Sequence, residues 1–168
     1  MRPTRFPTYL ADVIRQSPGP MVKDVRTFQE SGFTKVPYGL IVTFATGAEA
    51  YIHAVGASET KDNFDKPEQI VEGEAAIEPW PYPEGLGASG KIKLADVEAW
   101  LAAVFTSSGS REISRIEAWS QREDGRPDHA GVTAYFHSGA RIFAAVAHLV
   151  GPGQSTDRQQ WYEPSQEV

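Results

Sequence analysis

Between Gly39 and Ala45 the chain alternates without leaving a polar face. Leu40, Val42 and Phe44 fall on one side of an extended strand, and Ile41, Thr43 and Ala45 fall on the other. Beyond Thr46-Gly47 the alternation resumes through Tyr51 to Ser58, which predicts a hairpin with glycine in the turn position that requires positive φ. The same signal recurs from Gly131 to Val150. Laid over each other without gaps, the two stretches match Gly39 with Gly131, Phe44 with Phe136, Thr46-Gly47-Ala48 with Ser138-Gly139-Ala140, and Tyr51 with Phe143.

A common order precedes each hairpin. Thr8 is placed to cap a short helix with Leu10, Val13 and Ile14 on one face, and Ser17-Pro18-Gly19-Pro20 stops it. Leu94, Val97, Leu101, Val104 and Phe105 form the stripe of a longer helix, which Ser107-Ser108-Gly109 ends. Leu10-Ala11-Asp12-Val13 reappears as Leu94-Ala95-Asp96-Val97. After each stop comes an apolar triplet at spacings of three, Val22, Val25 and Phe28 in one case and Ile113, Ile116 and Trp119 in the other. That spacing suits a helix, but the Val, Thr and Phe of MVKDVRTFQE favour a strand.

Helix, stop, triplet and hairpin in the same order twice predict an α+β fold. Its expected form is an internally duplicated α-β-β-β unit building one six-stranded antiparallel sheet, or two facing sheets, with two helices packed on one side. The divisions are 1–58 for the first half, 59–90 for a connector, 91–150 for the second half and 151–168 for a polar C-terminal tail. A three-stranded meander with one short helix buries too little to stand alone, so the halves are expected to share a core as one domain. With both strand faces apolar, part of the open sheet face should meet a helix, the connector or a second chain.

Composition narrows the classes of function. Of 168 residues 40% are apolar and none is cysteine, which removes disulfides, thiol nucleophiles and thiolate metal sites and points to a cytoplasmic protein. No run approaches the length needed to span a bilayer, so no membrane is expected. The net charge of −6 is concentrated in residues 59–90, which hold eight acidic and two basic groups, while 91–150 holds seven of each. The connector also carries prolines at 67, 79, 81 and 83, so it should be extended.

Motifs for chemistry are weak. Gly85 to Lys91 (GLGASGK) has the spacing of a phosphate loop, but PWPYPE before it cannot be a central strand and Ile92 stands where a metal-binding hydroxyl belongs. His53, His129, His137 and His148 include no helical i, i+4 pair; Asp128-His129 with His137 is their closest approach to a cluster. Ser107, Ser108, Ser110, Ser114 and Ser120 lie outside any G-x-S-x-G pattern, and the connector acids sit in solvated sequence. The expectation is no catalytic, cofactor or metal residue.

Two sets of residues are candidates for contact. Trp80 and Tyr82 in the connector, with Trp161 and Tyr162 in the tail, are rigid aromatics in polar, extended sequence and suit a partner's groove, or the seam between the halves. Arg111, Arg115, Arg122, Arg126 and Arg141, with Trp119 and Tyr135 for stacking, form a basic edge for nucleic acid, set against equal numbers of acids in the same half. The leading expectation is a non-enzymatic protein-binding or assembly module that self-associates. A DNA-associated accessory protein, and a small-ligand binder or enzyme with its site between the halves, are the alternatives.

Overall fold

Alternation in the two hairpins places every second side chain on one layer, and in the computed structural model that layer is shared. The structure describes residues 1–16, 19, 21–57, 64–123, 125 and 129–168. The strands are β1 (Val22–Thr27), β2 (Gly39–Phe44), β3 (Glu49–Ala57), β4 (Ile113–Ala118), β5 (Gly131–Phe136) and β6 (Arg141–Val150). They form one antiparallel sheet in the order β1-β2-β3-β6-β5-β4. This decides for a single six-stranded sheet over two facing ones.

The two outer meanders keep one register. Gly39 faces His53 and Gly131 faces Ala145, 92 positions further on; each edge strand has its irregularity at its start, at Val22/Asp24 and at Ile113/Arg115. Each turn glycine takes positive φ, 85° at Gly47 and 81° at Gly139, and each turn closes with the same pair of backbone bonds. The seam is β3 with β6, paired from Glu49 and Val150 to Ala57 and Arg141.

Helices α1 (Phe6–Gln16) and α3 (Leu94–Ser107) cover one face, and the core between them and the sheet is one cluster drawn from both halves. Helix α1 starts at Phe6 rather than after Thr8. Pro7 is tolerated in a first turn, where its missing N–H has no partner to lose, and Phe6 is fully buried against Phe105. Helix α3 is buried well beyond the expected stripe, Trp100, Ala102 and Ala103 included. The connector and the C-terminal residues account for this: the Trp80 amide donates to Thr106, and Ile92 and Val168 exchange backbone hydrogen bonds.

The strand expected through Glu30 ends at Thr27. There Thr27 and Glu30 form a reciprocal capping box that starts the single turn α2 (Phe28–Ser31). A 3₁₀ turn, Trp119–Gln121, occupies the corresponding place after β4. No helix among the described residues is long and apolar enough to cross a membrane.

Candidate binding surface on the outer face of the sheet

The face turned away from α1 and α3 collects the chain's unexplained aromatic and charged groups. Its residues are the odd members of β3 (Tyr51, His53, Val55) and their neighbours on β6 and β5 (Phe143, Ala145, Thr133, Tyr135). The two halves of this face are finished differently.

On the first half the tail folds back. Trp161 packs its ring on His148 at 4.6 Å between centroids, with Phe33 and His53 each at 6.0 Å. Tyr162 stacks on His53 at 5.9 Å, and its hydroxyl shares a 2.5 Å hydrogen bond with Nδ1 of that ring. Its amide donates to the Ala147 carbonyl. Tyr162 holds φ at 61°, a conformation that costs a non-glycine residue about 1 kcal/mol or more, so these contacts outweigh real backbone strain. Burial lowers the pKa of both imidazoles and raises that of the Tyr162 hydroxyl. His148 is 1% exposed, and its ring nitrogens make no well-formed hydrogen bond among the described residues, the Gln159 side-chain amide being the polar group that acts on them. Beside this cluster Glu49 accepts from Thr43 and Tyr51 and pairs with Arg26 at 3.5 Å; burial, then the Glu49 charge, pushes the Tyr51 hydroxyl up to about 12.

On the second half the cover comes from β4 and the turn after it rather than from the tail. Glu117 on β4 accepts from the Tyr135 hydroxyl at 2.9 Å and lies 3.3 Å from Arg122 and 3.9 Å from Arg115. The Tyr135 hydrogen bond first, and the two arginines after it, hold the Glu117 carboxyl below its ordinary pKa. Arg115 lies over the Tyr135 ring at 3.9 Å and Arg122 over Trp119 at 5.2 Å. Arg122 also donates to Thr133, as does the Trp119 indole. Next to this network, Val55 faces Phe143 across the seam and is 42% exposed. By the register of the two meanders, Phe143 and Ala145 occupy the places that Tyr51 and His53 hold in the first half. Thr133, bonded by Trp119 and Arg122, and Ala145 are buried there, while Val55 is exposed and Phe143 and Tyr135 are half-buried.

The expected contact residues are dispersed by the fold. Trp80 and Tyr82 pack on the helix side, against the core. Tyr82, Met21, Leu86, Trp100 and Glu84 line a largely apolar pocket of about 240 Å³, below the usual size of a ligand site and with no histidine in its lining. Arg115, Arg122 and Arg141 share the outer face, whereas Arg111 is held by the Gly73 carbonyl and Glu72 of the connector. Arg126 and Asp128 lie outside the described residues. His129 and His137 form no metal-ligand cluster with other groups among the described residues.

The glycine run before α3 leads into a helix start where Ile92 bonds Val168 and Leu94 bonds Gln166, so these two amides are not free for an anion, and Asp96 puts a negative charge in the first turn. Sequence reasoning passed over Phe33, Tyr51, Val55 and Phe143, which read as ordinary alternating strand and loop residues. The signal available was the register of the two hairpins, which sets Val55 and Phe143 side by side once β3 pairs with β6. Comparison with family models, curated proteins and solved structures returns no match to this chain.

Proposed function

We propose that the chain is a non-enzymatic protein-binding and assembly module whose contact surface is the outer face at and beyond the β3–β6 seam, around Val55, Phe143 and Tyr135. The observation that carries this is the different finish of the two parts of the outer face. One holds the chain's own Trp161 and Tyr162, and the other leaves Val55 42% exposed beside Phe143. A surface that takes aromatic cover in one half is suited to take a partner's side chains in the other, and the half-buried Trp161 and Tyr162 extend it across the same face.

Nucleic acid is supported less. Arg111, Arg115 and Arg122 are paired with Glu72 and Glu117 or laid on aromatic rings. Among the described members of that edge only Arg141 has no ion pair, and a single such cation neutralises too few phosphates for useful affinity.

The test is co-purification from native cells with wild-type bait and with Val55→Glu or Phe143→Glu bait. Partners lost from both variants support the reading. Identical recovery from all three baits, or an Arg141-dependent and salt-sensitive affinity for oligonucleotides, overturns it.

A further inference from the structure

Four large hydrophobic side chains among the described residues are more than two fifths exposed: Val55, Phe64, Ile70 and Val71. The guanidinium of Arg2 covers the Phe64 ring at 4.9 Å. Two aliphatic spots remain, and their surroundings carry opposite charge. Val55 sits on the outer face beside β6, which carries Arg141, exposed and with no ion pair among the described residues; Arg115, 58% exposed, lies farther across the same face, over Tyr135. Ile70 and Val71 lie in the connector, where Glu72, Glu74 and Glu78 follow them, all exposed. Glu74 and Glu78 have no ion pair among the described residues.

Within one chain the two spots do not cover each other: Val55 is 42%, Ile70 60% and Val71 42% exposed. The connector is pinned on either side of Ile70 and Val71. Glu68 is bonded to Arg5, and Gly73 exchanges hydrogen bonds with Arg111 just before β4. Held by these anchors, Ile70 and Val71 stay turned to solvent.

Resting on the protein-binding reading above, we infer that the partner is a second copy of this chain. The connector segment Ile70–Glu74 of one molecule lies on the Val55 patch of another. Ile70 and Val71 cover Val55 and Phe143, and the glutamates face Arg115 and Arg141. Apolar burial supplies the affinity; the charges set the register and make association weaken with salt.

Sedimentation velocity over about two decades of concentration, reaching about the hundred-micromolar range expected of a small and weak interface, tests this on the full chain. The wild type should sediment faster as concentration rises. Val55→Glu and the double variant Ile70→Glu/Val71→Glu should each lower the association constant at least about tenfold. An equimolar mixture of the two should recover pairs, because each variant keeps the surface the other lacks. Arg141→Glu and Glu74→Arg change exposed residues only and repeat the design without touching the core: each alone weakens association, and their mixture restores it.

A mixture that stays monomeric while the wild type associates means that like patches meet, and overturns the inference. So does association that survives Val55→Glu. If the wild type is monomeric throughout, the second copy is not the partner. In that case Val55-dependent capture of another protein keeps the binding reading, and capture indifferent to Val55 removes it as well.

Discussion

Gly39 and Gly131 set how closely an aromatic ring can lie on the outer face. Phe28 ends the first apolar triplet and Trp119 ends the second, and each lies over the first glycine of its hairpin. A Cβ at Gly39 would stand 2.2 Å from the Phe28 ring and 2.4 Å from the Ile52 carbonyl oxygen; one at Gly131 would stand 2.7 Å from the Ala144 oxygen and 3.0 Å from the Trp119 ring. Both are overlaps, but the first is deeper and includes a rigid ring that is itself 1% exposed. Gly39→Ala should therefore destabilise the protein by about 2–3 kcal/mol, and Gly131→Ala by about 1–2 kcal/mol, since overpacked sites respond on this scale. Urea unfolding of the two variants checks the order. Equal losses, or the larger loss at Gly131, would mean that the rings move aside freely and that the glycines are there for another reason.

The C-terminal segment behaves as an element although it has little regular structure. It holds the outer face through Trp161 and Tyr162 and then reaches the start of α3 through Gln166 and Val168. Its closure is linked to pH through His148: Tyr51 and Trp161 pack on that ring and Gln159 and the Lys35 charge act on it, with Glu49 bonded to Tyr51 and Asp157 paired with Lys35. Burial lowers the pKa of His148; the Gln159 amide opposes this and the Lys35 charge adds to it. When the tail lifts, the imidazole regains its ordinary value of about 6.5, so the open form binds more protons than the closed one. Closure is therefore strongest above about pH 6.5 and weakens as pH falls from there toward the depressed value, with His53 acting in the same direction. Amide exchange over residues 159–164, corrected for intrinsic rates, should be protected at pH 7.5 and less so at pH 5.5. Trp161→Ala should open the segment at both, by about 2 kcal/mol for the lost ring contacts. Protection in Trp161→Ala equal to the wild type, or no change with pH in the wild type, would show that the segment is held elsewhere. The helices, the strands, both turns and the antiparallel α+β class were legible from alternation and repeated order, because those signals are local. The tail was not: His53 and Tyr162 are 109 positions apart, and WYEP reads the same whether it docks or hangs free. The turn at Phe28 was also hidden, since Thr27 and Glu30 form a capping box only when the strand stops at Thr27. The patch at Val55 becomes visible only once β3 is known to pair with β6.

At the scale of the whole molecule, one ion cluster joins parts of the chain that neither meander contains alone. Arg5 on the approach to α1 donates to Glu68 of the connector at 2.9 Å and to Glu112 before β4 at 2.5 Å, and both carboxylates are at least 85% shielded from solvent. Burial by itself raises the pKa of Glu68, but hydrogen bonds from Arg5 and the N-terminal ammonium, together with their charges, outweigh it and take the carboxyl down to about 2. The same two glutamates hold the Arg5 guanidinium well above its ordinary value. Because Glu68 binds its proton less readily folded than unfolded, its contribution is complete above the unfolded value of about 4.5. It is lost as pH falls from there through about 2. After allowance for the solvent that still reaches Arg5, that contribution should be about 1–3 kcal/mol. Glu68→Gln should lower stability by this amount at pH 7, and the two proteins should converge near pH 2, where the wild-type carboxyl has taken up its proton. An Arg5→Met background separates the ion pair from simple packing, because there Glu68→Gln should cost much less than it does with Arg5 present. Urea midpoints across pH 2–7 for the four proteins decide it. A gap that stays constant down to pH 2, or an equal cost in the Arg5→Met background, would place the effect in the connector's packing and leave the α1–connector–β4 clasp without its electrostatic role.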